Sequence, residues 1–325
     1  MSNNRLFAIL PQVSRSFAYI ISKLTSPLRG VVCIAYLLFR IADTIEDAQA
    51  SLAVKQKLFS LFRGLLQAGS LDTALFHDFS RTKEKLAGIS AQEQLLLQEG
   101  HHVLQAFYAQ QQKTRDVLYY WLNESMTGMQ AYLTRDIATW SDLDDYCYYV
   151  AGTVGFMLTA LFDHQDLLAA QTQPLAFKKQ VLHFALALQK VNITRDIAAD
   201  MAQGRRFWPQ VIRPGNRITI QALNQMVENT LVSVQAGHGY VLAITHKAPD
   251  VRFFCIFSLF LALKTLRLLA GNPACLQQNI KTRKSTFYCT LLLARLAARL
   301  PNRCYTFLIG RYAKQVAVRL ARGRA

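Results

Sequence analysis

Three carboxylates stand close together in the segment Leu37 to Ala48, which reads LLFRIADTIEDA. Asp43 and Asp47 are four residues apart, so on a helix they share one face, and Glu46 lies beside them. Like charges at this spacing repel each other by roughly 0.2 to 0.5 kcal/mol on an isolated helix. Arg40, one turn earlier, is the only nearby cation. This group of side chains indicates a site that binds a cation.

A second segment, VNITRDIAADM from Val191 to Met201, repeats the pattern, with Asn192, Asp196 and Asp200 at four-residue intervals. Two such faces set opposite each other would offer Mg²⁺ the oxygen ligands it prefers, with water and substrate phosphate completing its shell. Bridging Mg²⁺ would act as a Lewis acid on a diphosphate leaving group. Solvated surface acids are the alternative for either face alone, but two acidic faces flanked by apolar residues favour a metal and diphosphate site.

Arginines lie near both acidic segments. Arg15 and Arg40 accompany the first, Arg195 lies inside the second, and the pair Arg205 and Arg206 follows it. The planar guanidinium matches phosphate oxygens two at a time, which predicts diphosphate binding. Taken singly, each arginine is more often a surface salt-bridge residue than a phosphate ligand.

The apolar segment Leu143 to Phe162 contains Tyr146 and Tyr149 together with Gly152 and Gly155. An ionising prenyl diphosphate forms a carbocation that water would quench, whereas a dry pocket with aromatic faces would protect it. The two glycines permit close helix approach or leave room for a chain. Aromatic residues at helical spacing are also ordinary core residues, so this segment alone does not identify a pocket.

The elements that must position these residues are helices. No sustained alternation of apolar and polar residues bounded by Asn-Gly or Asp-Gly turns is found, whereas helical periodicity recurs throughout. The predicted helices cover about Leu28 to Ala48, Val54 to Gln67, Ala91 to Ala109, Arg115 to Leu133, Leu143 to Phe162, Phe177 to Gln203, Ile218 to Lys247, Arg252 to Leu269 and Thr286 to Leu300. No repeat or Gly/Ser linker divides the chain, which predicts one all-α domain.

The charge of the chain is strongly positive and unevenly placed. The net charge is +17, and Asp250 is the last acidic residue. The segments Phe287 to Leu300 and Tyr305 to Leu320 mix apolar and basic residues at helical spacing. An interfacial membrane helix shows this pattern, and so does an ordinary surface helix. We predict a catalytic domain over residues 1–285 followed by basic amphipathic helices over residues 286–325, packed on the domain or at a membrane surface. No nucleic-acid-binding motif accompanies the charge.

The cysteines indicate a reducing compartment. Six of them are scattered without a CxxC pair or metal-ligand spacing. The N-terminal sequence lacks the layout of a signal peptide. The longest charge-free apolar stretch, Tyr146 to Phe162, is short of the roughly 20 residues that a membrane span needs. We therefore expect a cytoplasmic protein with peripheral membrane contact.

At this point the sequence resembles the squalene and phytoene synthases, a family of head-to-head prenyl transferases. The resemblance runs from Ser14 to about Lys284. The motifs that carry it are SRSF at Ser14 to Phe17, DTIED at Asp43 to Asp47, YCYYVAGTVG at Tyr146 to Gly155, NITRDIAAD at Asn192 to Asp200 and RRFWP at Arg205 to Pro209. The LQKVNITRD and RRFWP segments are more similar to squalene synthases than to phytoene synthases.

The resemblance implies a single α-helical isoprenoid synthase domain built around a central cavity. It implies a farnesyl-diphosphate farnesyltransferase that joins two farnesyl diphosphates into presqualene diphosphate and reduces that intermediate with NADPH. The implied Mg²⁺ ligands are Asp43, Glu46, Asp47, Asn192, Asp196 and Asp200. By the same comparison, Tyr146 resembles the tyrosine that assists the first step, and Phe17 and Phe254 resemble aromatics that line the path of the cation.

NADPH contacts come from the resemblance alone, since no Rossmann glycine motif is present. The implied contacts to its phosphates are Arg15, Arg40, Arg195, Lys281 and Arg283. Ser285 replaces a glycine that usually follows this basic segment in eukaryotic members. A dehydrosqualene or phytoene synthase, which loses a proton instead of accepting hydride, is therefore the alternative, and a non-catalytic membrane-associated relative is a further one. No protein partner can be inferred from the sequence.

Overall fold

The computed structural model describes residues 2–169, 173–212, 218–280 and 282–323, and the side chains of residues 2–4 and 15 lie outside that description. The backbone contacts divide the chain into two compact units, Met1–Arg135 and Asp136–Ala325. In the described residues helices dominate, and β-pairing is confined to two isolated bridges, Gln49 with Ala87 and Leu168 with Ile244. The predicted all-α fold is confirmed. The division into residues 1–285 and 286–325 stays a prediction.

The first unit contains eight helices in the described residues. They are α1 (Ser2–Val13), α2 (Arg15–Ile21), α3 (Leu28–Asp47), α4 (Leu52–Gln67), α5 (Thr73–Lys83), α6 (Ala91–Gln98), α7 (Gly100–Tyr108) and α8 (Gln112–Tyr132). Helix α3 is the central one, because it packs against α1, α4, α6, α7 and α8. Its side chains from Leu28 to Ile45 are mostly buried, as its apolar spacing predicts.

The second unit is built around its helices α11 and α15, on which most of the others pack. Its elements are α9 (Trp140–Cys147), a π-helical turn (Tyr148–Gly152), α10 (Thr153–Asp163), α11 (Pro174–Arg195), α12 (Ile197–Ala202), α13 (Ile220–Gly237), α14 (Gly239–Leu242), α15 (Pro249–Leu269), α16 (Lys284–Ala297) and α17 (Asn302–Arg322). Helix α11 packs on α10, α13 and α15, and α16 and α17 both pack on α15. Across the described residues, no helix combines the length and the apolar character that crossing a membrane requires.

Glycine permits the closest helix contact in this unit. A Cβ atom placed on Gly237 would lie 2.2 Å from the backbone nitrogen of Phe184, so α13 approaches the backbone of α11 directly. A Cβ on Gly155 would meet the Cβ of Ala185 at 3.0 Å. This second contact is the close helix approach that was one of the two predicted roles of Gly155.

The segment Leu143 to Phe162, predicted as one helix, is interrupted by the π-helical turn. The N–H of Thr153 donates to the carbonyl of Tyr148, five residues back. The Thr153 hydroxyl donates a hydrogen bond to the carbonyl of Tyr149 at 2.7 Å. The wider turn leaves the Tyr149 carbonyl without its usual backbone donor, and the Thr153 hydroxyl supplies a hydrogen bond in its place.

Three further predicted helices are also divided. The predicted helix from Ala91 to Ala109 is interrupted at Glu99, which separates α6 from α7. The predicted helix from Phe177 to Gln203 bends at Asp196, where φ is -95° and ψ is 10°. The predicted helix from Ile218 to Lys247 breaks after Gly237, at the glycine that contacts α11. In each of these places tertiary contacts or local backbone geometry interrupt an otherwise continuous apolar pattern.

Candidate active site

The first acidic face lies at the C-terminal end of α3. Asp43, Glu46 and Asp47 are all partly exposed, whereas the neighbouring Thr44 and Ile45 are buried. The C-terminal end of a helix carries a partial negative charge, and the last turn of α3 contains no basic residue to offset it. Carboxylates in this position are unfavourable on their own, so the face as a whole attracts a cation.

Arg40 is the cation that partly neutralises this face. Its Nη1 lies 3.7 Å from the Asp43 carboxylate, and its Nη2 donates to Glu93 Oε1 at 2.7 Å. Glu93 is itself held by a capping box at the start of α6, where its Oε2 accepts from the backbone N–H and the hydroxyl of Ser90, both at 2.8 Å. Glu93 therefore fixes Arg40 beside the acidic face.

Asp43 is destabilised in its charged form. Its side chain keeps 34% of its surface accessible, but the surrounding protein still desolvates the carboxylate and raises its pKa to about 7. Asp47 and Glu93 add to this increase, while Arg40 opposes it. A bound divalent cation would reverse this balance, because it would stabilise the charged form of Asp43.

Tyr36 and Phe17 lie near the same face. Tyr36 precedes Arg40 by one helical turn, and burial raises the pKa of its phenol, with Ser14 as a hydrogen-bonding partner. The ring of Phe17 in α2 lies 5.5 Å from the ring of Tyr36. Ser14 begins α2 by accepting from the Phe17 N–H at 3.3 Å. The SRSF motif is thus joined to α3, while the side chain of Arg15 lies outside the described residues.

The second acidic face spans the bend between α11 and α12. The N–H of Asp196 donates to the carbonyl of Asn192, and the N–H of Asp200 donates to that of Asp196, each at 2.9 Å. These bonds preserve the four-residue spacing through the bend. Asn192 and Asp196 are partly exposed, and Asp200 is only 6% exposed.

Both aspartates of this face are paired with arginine. Arg195 donates from two nitrogens to the two oxygens of Asp196, with Nε to Oδ1 at 2.8 Å. Arg205 reaches Asp200 Oδ1 from Nε at 3.1 Å and from Nη2 at 2.9 Å. Asn279 donates to Asp196 Oδ1 at 3.5 Å. Each carboxylate therefore holds a guanidinium that could instead bind phosphate.

Tyr146 lies beside the segment that follows this face. Its ring, 4% exposed, is stacked on Phe207 at 5.0 Å with an interplanar angle of 16°. The next residue, Trp208, is buried and donates from its indole N–H to the carbonyl of Ile193 at 3.2 Å. The RRFWP motif thus packs on both the tyrosine motif and the end of α11, which joins the two motifs in one place.

Lys190 is a residue of this region that sequence analysis missed. It lies in α11 one turn before Thr194 and is 1% exposed. Its ammonium contacts Asp144 Oδ1 at 2.5 Å, Asn229 Oδ1 at 2.6 Å and the Ser233 hydroxyl at 3.1 Å. A buried ammonium needs such partners, and together they join α9, α11 and α13 directly behind the second acidic face.

The remaining predicted residues are more scattered. Phe254 lies in α15 and is 5% exposed, within the core of the second unit. Arg283 precedes α16 and is exposed, and Lys281 lies outside the described residues. The structure adds three residues to the predicted site: Tyr36, Glu93 and Lys190. The spacing Ser90-x-x-Glu93 is that of a capping box, so the sequence could have predicted that Glu93 lies at the start of a helix.

In the part of the chain that the structure describes, no three Asp, Glu, His or Cys side chains converge on a point where they could hold a metal ion by themselves. Magnesium does not require such a cage, because it is commonly bound by one or two carboxylates and completes its shell with water and substrate phosphate. The two acidic faces supply oxygen donors of this kind.

Comparison with known proteins places these motifs in a family. A sequence profile described as squalene/phytoene synthase matches residues 10–286. The chain belongs to the squalene/phytoene synthase family. It is 33% identical over 311 residues to the squalene synthase of Eremothecium gossypii, covering 89% of this chain and 67% of that protein. It is 29% identical over 296 residues to squalene synthase 1 of Arabidopsis thaliana, covering 86% and 68% respectively.

Solved structures of the family agree. The structure of TcSQS with a bound ligand matches with a TM-score of 0.75 and 28% identity over 99% of both chains. A dehydrosqualene synthase matches with a TM-score of 0.61 and 18% identity, over 91% of this chain and 95% of that one, which shows a common fold. These matches confirm the resemblance to the family, the all-α isoprenoid synthase fold and an enzyme of the squalene synthase type. The chain spans about two thirds of the length of the curated relatives.

Proposed function

We propose that this enzyme condenses two farnesyl diphosphates head to head into presqualene diphosphate with Mg²⁺, and then reduces that intermediate to squalene with NADPH. The observation that carries the proposal is the pair of acidic faces, each at the end of a central helix and each holding arginine side chains. Family membership supports the head-to-head condensation. The relatives at 33% and 29% identity are both squalene synthases, which favours the reductive branch.

The donor set fits Mg²⁺. Asp43, whose charged form is disfavoured, and the oxygens of Asn192, Asp196 and Asp200 are hard ligands suited to it. When bound, Mg²⁺ supplies Lewis-acid stabilisation of the departing diphosphate. Glu46 and Asp47 complete the proposed ligands of the first face.

The arginines have a second task in this proposal. In the structure Arg195 and Arg205 neutralise Asp196 and Asp200. When the carboxylates are engaged by a cation, these guanidinium groups become available to donate to diphosphate oxygens in the same place. Arg40 could likewise exchange its contact with Asp43 for one with a phosphate, while its bond to Glu93 keeps it in position. The protein thus keeps its acidic faces balanced before substrate arrives.

Tyr146 contributes a protected environment for the reacting cation. Its ring is buried and stacks on the partly exposed ring of Phe207, and a buried aromatic face favours a carbocation over its quenching by water. We propose that Tyr146 assists the first step, in which one diphosphate leaves with its electron pair and one proton is lost as the cyclopropane forms. Phe17 and Phe254 are proposed to line the path of the cation.

Three of the five proposed NADPH contacts have described side chains. Of these, Arg40 and Arg195 are paired with carboxylates, and Arg283 is exposed. Arg15 and Lys281 have no described side chains. A dehydrosqualene or phytoene synthase, which needs no reductant, is therefore the second candidate. For either product, we propose a cytoplasmic enzyme in peripheral contact with a membrane, because a long hydrocarbon product must pass into lipid.

Product analysis tests the proposal. The purified chain would be incubated with farnesyl diphosphate and Mg²⁺, with and without NADPH, and the extracted products identified by mass. Squalene formed only with NADPH is the expected result. Dehydrosqualene under both conditions would replace the main proposal with the second candidate. No condensation product under either condition would contradict both and favour a non-catalytic relative.

A further inference from the structure

Helix α16 carries an apolar stripe that none of the described residues of its unit covers. Tyr288, Leu292 and Leu296 follow one another at four-residue intervals and are 61%, 64% and 62% exposed. The opposite side of the helix, including Leu291 and Ala294, is buried against the protein. Large apolar side chains scattered singly on a surface are ordinary, but three in a row on one face mark a contact surface.

Positive charge surrounds this stripe. Arg295 lies one turn after Leu292, and Arg299 lies just past the end of α16, three residues after Leu296; both are exposed. The guanidinium of Arg295 also packs over the ring of Phe253 at 6.0 Å. From Val251 to Ala325 the sequence contains 14 Lys and Arg residues and no Asp or Glu. The α16 surface thus combines apolar side chains with cations that no nearby carboxylate in the sequence neutralises.

Helix α17 extends this cationic character. Its exposed side includes Phe307, which is 67% exposed and lies one turn from Arg303 and from Arg311. A groove of about 500 Å³ between the end of α15 and α17 is lined by five cations, Arg267, Arg311, Lys314, Arg319 and Arg322. A groove of this composition suits phosphate groups.

We propose that the exposed face of α16, with the basic face of α17, docks on an anionic phospholipid surface. Exposed leucines would enter the boundary between headgroups and acyl chains, and the arginines would contact lipid phosphates while their aliphatic stems remain in apolar surroundings. Helix α16 has 14 residues and is about 21 Å long, so it lies along the surface and does not cross it.

Other occupants fit the charges less well. A second copy of the chain in a two-fold interface would set this carboxylate-free cationic face against itself, and the like charges would repel. A nucleic acid would use the arginines but leave Leu292 and Leu296 in water. An anionic lipid surface satisfies both the charge and the apolar stripe. The inference specifies the membrane contact included in the proposed function, and it is tested by a binding measurement that requires no turnover.

The test is sedimentation of the full chain with lipid vesicles. Neutral phosphatidylcholine vesicles would be compared with vesicles containing about 30% phosphatidylglycerol. We expect binding only to the anionic vesicles, and a sharp decrease when NaCl rises from about 0.1 M to about 0.5 M. The double variant Leu292→Ser with Leu296→Ser should bind roughly tenfold more weakly or worse, because its apolar contact is removed. Arg299→Gln should lose roughly fivefold.

The matched control is Val232→Ser. Val232 is 60% exposed on α13, a helix without Lys or Arg, so this variant should bind like the wild-type chain. Turnover of farnesyl diphosphate without vesicles should be unchanged in all the variants, which separates failure of docking from failure of the proposed function. Equal binding of the double leucine variant and the wild-type chain would overturn the proposal. A wild-type dimer that the same variant converts to a monomer would also overturn it, in favour of self-association.

Discussion

Asp43→Asn should make the metal-free protein more stable while it abolishes turnover. The pKa of Asp43 rises from an ordinary 3.8 to about 7 because the protein desolvates its carboxylate. Such a rise corresponds to about 4 kcal/mol of destabilisation once the group is fully ionised. About a third of the side chain is exposed, so solvent screening reduces the expected effect to about 2 kcal/mol. For a chain of this length that is roughly 3 to 4 °C in melting temperature.

The sign of the effect depends on pH. Above pH 7 the carboxylate is ionised in both the folded and the unfolded protein, so the folded protein bears the full destabilisation. Between pH 7 and about pH 4 the folded protein takes up a proton that the unfolded chain does not, and the destabilisation shrinks. Asparagine is neutral throughout. The gain from Asp43→Asn should therefore be largest near pH 8 and narrow toward pH 5.

The assay is thermal unfolding in EDTA at several pH values between 5 and 8, alongside a turnover measurement with Mg²⁺. Asp78→Asn is the matched control, because Asp78 is 45% exposed in the same unit and contacts Arg81 at 3.4 Å. Its substitution should change stability by less than about 0.5 kcal/mol. An Asp43→Asn protein that melts at or below the wild-type temperature at pH 8 would refute the reasoning about desolvation.

Three other substitutions test the second unit. Arg205→Gln should lower the free energy of unfolding by about 3 kcal/mol in urea, because it leaves the buried Asp200 carboxylate without its guanidinium. Asp196→Ala should abolish turnover while the circular dichroism spectrum is unchanged, since Asp196 is partly exposed and its removal opens no core cavity. Tyr146→Phe should preserve substrate binding and the stacking on Phe207 but slow the formation of presqualene diphosphate, as measured in a single turnover.

Each of these has an outcome that would contradict it. Arg206→Gln changes an exposed arginine next in the chain and should be nearly neutral, so equal losses for both arginine variants would remove the special role of the Asp200 pair. Wild-type turnover in Asp196→Ala would remove that residue from the proposed metal ligands. An unaltered first step in Tyr146→Phe would exclude its hydroxyl from that step.

Helical periodicity predicted the fold well because burial decides most of these helices. Helix α3, predicted from Leu28 to Ala48, ends at Asp47. Helices α1, α2 and α5 were not predicted, and α1 contains Pro11, which usually signals a helix end. The bend at Asp196 and the π-helical turn at Tyr148–Gly152 also escaped prediction. They depend on single backbone hydrogen bonds that leave the apolar pattern unchanged.

The candidate site was predictable to the extent that it rests on residue type and spacing. Asp43 and Asp47, or Asn192, Asp196 and Asp200, are recognised by their positions along the chain. Their arginine partners Arg40, Arg195 and Arg205 lie within five residues of them in sequence, whereas contacts between distant helices are not readable in this way. The contact between Arg40 and Glu93 joins residues 53 apart in sequence, and that between Lys190 and Asn229 joins residues 39 apart. Such pairs depend on how helices pack.

Formation of the C30 diphosphate intermediate tests the central claim most directly. Labelled farnesyl diphosphate would be incubated without NADPH, in Mg²⁺ or in EDTA, with the wild-type chain, Asp43→Asn and the control Asp78→Asn. We expect presqualene diphosphate from the wild-type chain and the control in Mg²⁺ only, and none from Asp43→Asn. Wild-type rates in EDTA, or an Asp43→Asn protein as active as the control, would contradict a metal-dependent condensation at these acidic faces.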